Sequence, residues 1–188
     1  KGGIIVRPAK AGEKFVSLDG NEYELTKDDL LIADAKGSLA LAGIKGGKRA
    51  EVTADTKEII LESANFAPES VERTAKRVNL LTDAAVRFRV GIDPNLTIDA
   101  IDMAASLIQT IAGGEIAKGR ADTGKNIPAR PVKLRLKKAQ SLLGFDISER
   151  EISNILSRLG ATIVKAGSEY KVTMPSWRVD IKVEEDLI

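Results

Sequence analysis

Any hydrolytic chemistry by this chain must rely on carboxylates, hydroxyls, backbone groups or the substrate itself, because its 188 residues include neither cysteine nor histidine. Nucleophilic catalysis of the Ser-His-Asp or Cys-His kind is therefore excluded. Disulfides and zinc sites with thiolate or imidazole ligands are excluded for the same reason. Hydrolytic chemistry here would use acidic side chains, Ser or Thr hydroxyls and main-chain N–H donors.

The composition indicates a globular protein with a mixed, solvated surface. Hydrophobic residues make up 43% and charged residues 30%, and the net charge of +2 is too small to indicate nucleic-acid binding by itself. The apolar run 100–111 is interrupted by Asp102 and Gln109 and is shorter than the ~20 residues of a membrane span. We therefore expect no membrane segment and no secretion leader.

The first sixty residues alternate short β-prone runs with turn signals. Asp19-Gly20-Asn21 predicts a hairpin turn, because Gly and Asn tolerate positive φ. The predicted strands are Gly3–Arg7, Phe15–Leu18, Glu22–Leu25, Leu30–Asp34, Leu39–Ala42 and Glu58–Ser63.

Helical patterns follow this β-rich stretch. Pro68 stands where a first helical residue is tolerated, and an apolar stripe at helical spacing comes after it. Asp93-Pro94 predicts the start of a second helix, which ends at Gly113. The residues expected to face inward along that helix are Ile98, Ile101, Ala105, Ile108 and Ile111.

A composition break separates two domains. Residues 122–131 contain two prolines and a glycine without apolar periodicity, so we expect a linker there, between domains at 1–121 and 132–188. The second domain has a strand at 132–136, a helix ended by Gly144, a capping box at Ser148–Glu151 and a final β-hairpin. The predicted fold class is α+β, with a mixed β-sheet domain carrying helices, then a small winged-helix-like module.

Three stretches in this order and spacing resemble the bacterial phenylalanyl-tRNA synthetase beta subunit family. Each is a weak signal alone, but together they cover nearly the whole chain. The stretches are Leu39–Gly47 with Ile60–Phe66, Arg77–Phe88 with Gly91–Pro94, and Met174–Ile181 with Glu185–Ile188.

The resemblance implies that the first domain is an editing domain, which hydrolyses tyrosine wrongly esterified to tRNA(Phe). A pocket shaped for phenylalanine rejects one extra hydroxyl only modestly, so a second site that reads this hydroxyl is needed. Reading a buried phenol requires an acceptor and a nearby donor. We expect a positioned water to attack the ester, since the chain has no Cys or His.

The resemblance also implies the site residues. Glu62 matches the carboxylate that accepts the tyrosine hydroxyl, and Gly46 the backbone group beside it, where a missing side chain allows close approach. Thr82 and Ala84 match the segment that lines the pocket around the aminoacyl ester. Glu62 and Thr82 are the predicted catalytic residues, and all four are predicted to bind substrate. Alternatively, Glu62 is a rim carboxylate, Gly46 serves a turn and Thr82 caps a helix.

Four positions depart from the family pattern: Lys45 is usually apolar there, Ala85 is usually Ser, and Arg89-Val90 replaces Glu-Arg. A histidine-containing family motif would lie upstream of residue 1. The resemblance therefore implies an editing domain truncated at its N-terminal end and a second domain truncated at its C-terminal end. We expect the isolated segment to be inactive or limited to editing, without an amino-acid activation site.

For the intact enzyme, the resemblance implies ATP and Mg²⁺ as cofactors and a cytoplasmic α2β2 heterotetramer that binds tRNA(Phe). Asp180 and Asp186 match two carboxylates that help hold magnesium at the contact with the alpha subunit. Two carboxylates make a poor octahedral site, so we expect no cofactor on this segment alone.

The alternative is a nucleic-acid- or protein-binding module with a winged-helix domain and no catalytic activity. Its basic face would consist of Lys133, Arg135, Lys137 and Lys138. No aromatic residues are interleaved with these cations to stack on bases, which weighs against this alternative.

Overall fold

The computed structural model describes residues 3–124 and 127–188, and it confirms the α+β class. The chain divides into two compact units, with the boundary between Ile92 and Asp93. Lys125 and Asn126, which fall within the predicted linker, lie outside the described residues.

The first unit contains two antiparallel sheets. One has the order β1-β4-β5-β6 and the other pairs β2 with β3. The strands are β1 (Ile5–Pro8), β2 (Lys14–Val16), β3 (Glu22–Glu24), β4 (Leu30–Asp34), β5 (Gly37–Leu41) and β6 (Lys45–Gly46). The predicted hairpin is confirmed, because Lys14 pairs with Glu24 on either side of the Asp19–Asn21 turn.

Two helices complete the first unit, α1 (Pro68–Arg77) and α2 (Asp83–Phe88). The three central residues of β4, Leu31–Ala33, are buried. Val71 and Ala75 of α1 pack into the same core as Leu31 and Ile32. Pro68 occupies the first turn of α1, where its missing N–H costs no intrahelical bond. The core therefore fixes α1 in place, and with it the loop that leads to α2.

The predicted strand Glu58–Ser63 is wrong. Residues 57–67 form no helix or strand, and Ile59 and Ile60 are 48% and 79% exposed. A β-prone run forms a strand only when a partner edge satisfies its backbone groups. No strand of the described residues pairs with this run.

The second unit begins with a short 3-10 turn at Pro94–Leu96 and a long helix, α3 (Thr97–Ala112). Asp93 accepts the Asn95 N–H at 2.9 Å, which confirms the predicted start. The inward face of this helix is only partly as predicted: Ile98, Ile101, Ala105 and Ile108 are half-buried, and Ile111 is 82% exposed. Helical periodicity predicted which face of α3 is the more buried, but few other groups pack against that face.

The rest of the second unit is a small sheet of order β7-β9-β8 covered by helices. Its elements are β7 (Val132–Leu134), α4 (Leu136–Leu143), α5 (Glu149–Arg158), β8 (Thr162–Ala166), β9 (Glu169–Thr173) and α6 (Glu184–Leu187). The capping box is confirmed, since Ser148 Oγ accepts the Glu151 N–H and Glu151 accepts the Ser148 N–H. This β-α-α-β-β order agrees with the predicted winged-helix-like outline.

Candidate functional site

The glycine cluster of Gly43–Gly47 covers the end of the turn after β5, the short strand β6 and the residue that follows it. Gly43 has a φ of +70°, and a Cβ there would lie 2.9 Å from a ring carbon of Phe66. A Cβ on Gly47 would lie 2.6 Å from the carbonyl oxygen of Leu39. Both glycines are therefore required by packing, whatever else the turn does.

Gly46 differs from its two neighbours, because a flexible side chain covers it. It pairs with Ala40, while the Gly47 N–H donates to the Leu39 carbonyl at 2.7 Å. In an antiparallel ladder, Gly46 is then a non-hydrogen-bonded position, and its N–H and C=O point away from β5. The C=O accepts the Leu18 N–H at 3.0 Å, and Leu18 Cδ1 lies 2.9 Å from where a Cβ would stand.

Thr82 joins this turn to α2. Its hydroxyl donates to the Ile44 carbonyl at 2.7 Å and accepts the Ala85 N–H at 3.1 Å. The second bond is an N-cap, which satisfies one of the free donors in the first turn of α2. Gly46 and Thr82 are thus brought into one local structure, with the Thr82 proton already committed to Ile44.

Lys45, an unusual residue for the family pattern, forms an ion pair across the same turn. Its ammonium lies 3.3 Å from a carboxylate oxygen of Asp19 in the β2–β3 turn. Hydrogen bonding from the Ser17 hydroxyl, and then from Lys45, lowers the pKa of Asp19. The Lys45 side chain is therefore turned toward the β2–β3 turn.

Glu62 lies in the irregular segment before α1, so the prediction that it ends a buried strand is wrong. Its side chain is open to solvent, yet enough protein surrounds the carboxyl group that lost hydration raises its pKa. Among residues 3–124 and 127–188, no hydrogen bond or ion pair engages this carboxylate, and none links it to Gly46, Thr82 or Ala84. Glu62 is thus a solvent-exposed carboxylate whose lone pairs are not engaged by the described residues.

The remaining predicted residues of the first unit lie on α2. Ala84 is exposed in the first turn, two residues after the Thr82 cap, and its methyl group presents no polar atom. Ala85, one of the departures from the family pattern, is fully buried. Arg89 and Val90, the other departures, are exposed at the end of α2.

Sequence reasoning did not identify Leu18, which covers the bare Cα of Gly46. The turn signal at Asp19–Asn21 predicted the hairpin but not the sheet it packs on. An apolar residue just before a hairpin turn is a weak indication of such a contact. The contact itself depends on the tertiary register of Ser17 opposite Gly47.

The two predicted metal ligands of the second unit are engaged by protein groups. Asp180 accepts both Nε and Nη2 of Arg178, at 2.9 and 2.7 Å. Asp186 accepts the N–H groups of Lys182 and Val183, at 2.8 and 2.9 Å. These bonds lower the pKa of Asp186 against the opposing charge of Asp180. Among the described residues, no group of three potential ligands surrounds a common point. The pair alone therefore does not fit an octahedral magnesium ion.

Most of the predicted basic face is neutralised. Lys133 pairs with Glu169 at 2.5 Å, and Arg135 pairs with Glu184 at 2.6 Å. Lys138 bonds to both Glu184 and Glu185. Paired cations attract phosphates weakly, so the structure does not favour a nucleic-acid-binding surface at this place.

Two family models match successive parts of the chain. The family model of the B3/4 domain matches residues 1–113, and that of the tRNA synthetase B5 domain matches residues 132–188. Among the described residues, no helix combines the length and hydropathy needed to cross a bilayer.

Curated relatives match the chain over its whole length. The phenylalanine–tRNA ligase beta subunit of Syntrophus aciditrophicus is 45% identical over 194 residues, and those of Geobacter metallireducens and Vibrio vulnificus are 42% and 41% identical over 189. Each match covers 100% of this chain and 24% of the relative, so the chain spans about a quarter of their length.

A solved structure shows a fainter likeness. The crystal structure of an N-terminal fragment of the phenylalanyl-tRNA synthetase beta subunit from Pyrococcus horikoshii is 17% identical, with a TM-score of 0.47, covering 98% of this chain and 54% of that one. A TM-score of that size does not define a common fold.

The matched domains define the class, a B3/4 domain followed by a tRNA synthetase B5 domain. The chain belongs to the B3/4 domain family and corresponds to the B3/4–B5 segment of bacterial phenylalanine–tRNA ligase beta subunits. The predicted resemblance is therefore confirmed, as is the enzyme class of the relatives, which are subunits of an aminoacyl-tRNA ligase.

Proposed function

We propose that this chain is the editing and assembly segment of a phenylalanine–tRNA ligase beta subunit. In this proposal its first domain hydrolyses tyrosine from mischarged tRNA(Phe), and its second domain supports the contact with an alpha subunit. The observation that carries the proposal is the pairing of a B3/4 with a B5 domain in one chain, at 41–45% identity to ligase beta subunits.

The discrimination problem explains why such a segment is useful. A synthetic pocket for phenylalanine rejects tyrosine modestly, because adding a hydroxyl to an apolar ligand creates a limited penalty there. A site with a carboxylate acceptor gains from the same hydroxyl, and phenylalanine would leave that acceptor unsatisfied. The proposed editing site therefore selects tyrosine for the property that the synthetic site reads poorly.

Glu62 is the proposed acceptor of the phenol. Its support comes from its open oxygens, because the described residues engage none of them, and from the surrounding protein that raises its pKa. Groups with perturbed pKa values are over-represented at functional sites. The Gly46 N–H, which points away from β5, is the proposed donor, and Leu18 is the movable side chain that covers the Gly46 Cα.

Thr82 is proposed to act through position rather than as a nucleophile. Its hydroxyl proton is committed to the Ile44 carbonyl, so it holds the Gly43–Gly47 turn against the start of α2. Ala84 then provides a small, apolar wall near the ester. A positioned water would attack the ester, since no residue of the chain offers a Cys or His nucleophile.

For the second domain, the proposal assigns Asp180 and Asp186 to a magnesium ion at the alpha-subunit contact, completed by ligands from outside residues 1–188. The ion would supply charge neutralisation between acidic groups. ATP would bind elsewhere in the intact cytoplasmic enzyme, since no amino-acid activation site is proposed for this chain. The proposed domain bounds are 1–121 and 132–188, with the linker at 122–131.

The test is deacylation of tyrosyl-tRNA(Phe) by the assembled heterotetramer carrying Glu62→Ala. Loss of a hydrogen bond to a charged acceptor should lower the rate about 10- to 100-fold. Glu58→Ala is the matched control, because it removes an exposed carboxylate from the same irregular segment. Aminoacylation with phenylalanine should be unchanged in both variants. Equal deacylation by Glu62→Ala and the unmodified enzyme would rule out the proposed role.

A further inference from the structure

The chain that follows α3 turns back along that helix. Gln109 Nε2 donates to the Gly114 carbonyl at 3.3 Å, and Arg120 lies 3.4 Å from Asp102. Ile127 then lies beside Asn95, at the opposite end of α3. These three contacts are 5, 18 and 32 residues apart in sequence, and they place Gly114, Arg120 and Ile127 at successive positions from the end of α3 to its start.

At the start of α3, two side chains reach residues far along the chain. The Asn95 amide donates to the Ile127 carbonyl at 3.2 Å and accepts the Ile127 N–H at 3.3 Å. Asp93 Oδ2 accepts the Ser176 hydroxyl at 2.9 Å, across 83 residues. All four residues belong to the second unit.

Helix capping accounts for only one of the two carboxylate oxygens of Asp93. An N-cap needs one oxygen, and Asp93 Oδ1 supplies it to the Asn95 N–H. The other oxygen is directed to Ser176, and Asp93 is only 8% exposed. Burying a carboxylate is unfavourable unless its oxygens are hydrogen-bonded, so the Ser176 contact is a required part of this arrangement.

We propose that Asp93, Asn95, the Ile127 backbone and Ser176 form a clasp that fixes the module of residues 132–188 to α3. With the clasp closed, residues 114–124 and 127–131 do not act as a free hinge. The same clasp positions the Pro175–Arg178 loop, in which Pro175 lies against Gly160 in the turn after α5. The clasp does not depend on the proposed editing chemistry.

The test measures the distance distribution between α3 and the module. Because the chain contains no cysteine, spin labels at Ser106→Cys on α3 and Lys171→Cys on β9 report on these two elements alone. Both positions are exposed. Double electron–electron resonance on the full chain should give one narrow distribution of distances between the two spin labels.

Asn95→Ala combined with Ser176→Ala should broaden that distribution at least twofold, and Ser176→Ala alone should broaden it by an intermediate amount. The single variant removes only one hydrogen-bond donor, so it still tests the proposal if the double variant does not fold. Asn154→Ala combined with Ser141→Ala makes the same changes at exposed positions of the same unit and should leave the width unchanged.

Trp177, the sole tryptophan, stands next to Ser176 and gives a second readout. Its fluorescence should become more accessible to acrylamide in the clasp variants and not in the control. A broad distribution in the unmodified chain would overturn the proposal. So would an equally narrow one, with unchanged Trp177 quenching, after the clasp residues are removed.

Discussion

Glu62 in the first unit and Glu184 in the second are two glutamates used in opposite ways. Glu184 accepts the Arg135 backbone N–H at 2.7 Å and its guanidinium at 2.6 Å, and Lys138 lies 3.3 Å away. Arg135 is the main reason that the pKa of Glu184 falls to about 2. For Glu62, lost hydration raises the pKa, and the described residues offer it no partner.

The contrast separates structural from functional acids. Every oxygen of Glu184 stabilises the junction of β7, α4 and α6, so nothing remains for a ligand. Glu62 contributes no described contact to the fold, and its lone pairs remain available. A carboxylate that loses hydration on folding and gains no stabilising partner is a candidate for ligand binding.

Asp29→Ala should give the largest loss of stability and mark the structural extreme of the comparison. The Asp29 carboxylate is buried and accepts the Thr26 N–H at 2.7 Å, the Thr74 hydroxyl at 2.8 Å and the Arg77 guanidinium. Removing the carboxylate leaves its buried hydrogen-bond donors unsatisfied, so we expect the free energy of unfolding to fall by about 3–5 kcal/mol. Urea unfolding measures it, with exposed Asp28→Ala as the control; a loss equal to that control would show the network is dispensable.

Gly47→Ala should come next, at about 1–3 kcal/mol, because the new Cβ would meet the rigid Leu39 carbonyl at 2.6 Å. Gly46→Ala should cost less, since it meets only the movable Leu18 side chain. Thermal unfolding of the two variants distinguishes them. Equal losses would mean that Leu18 is not free to move away from Gly46.

Glu184→Gln should lower stability by about 1 kcal/mol at pH 7, since Arg135 is partly exposed and solvent screens the pair. The folded pKa of Glu184, about 2, lies below its ordinary value of 4.5. Its stabilisation is therefore present above pH 4.5 and is lost as the pH falls toward 2. Unfolding free energies across that window should converge for variant and parent, and a constant difference would contradict the assignment.

Glu62→Gln should have the smallest effect on stability, within about 0.5 kcal/mol at pH 7. A raised pKa means that folding disfavours the charged form, so a neutral amide removes a small cost. The same unfolding experiment as for Glu184→Gln makes the comparison direct. A loss as large as that of Glu184→Gln would show that Glu62 has a structural partner after all.

Local chemistry predicted the elements that depend on local interactions. The Ser148–Glu151 capping box, the Asp19–Asn21 turn and the left-handed Gly144 after α4 are each determined by a few neighbouring residues. The strand prediction at 58–63 was wrong because a strand needs a neighbouring strand to pair with, and β propensity alone does not provide one. The Leu18 cover over Gly46 and the contact of Asp93 with Ser176 are tertiary, so no spacing in the sequence predicts them.

A crystal structure of the assembled enzyme with a non-hydrolysable tyrosyl-adenosine analogue would show directly whether Glu62 binds the phenol. The phenol oxygen should lie within hydrogen-bonding distance of the Glu62 carboxylate and the Gly46 N–H, with Leu18 moved aside. The phenylalanyl analogue should bind the same site more weakly. A tyrosyl analogue bound elsewhere, or a phenol that makes no contact with Glu62, would show that Glu62 does not recognise the tyrosine hydroxyl.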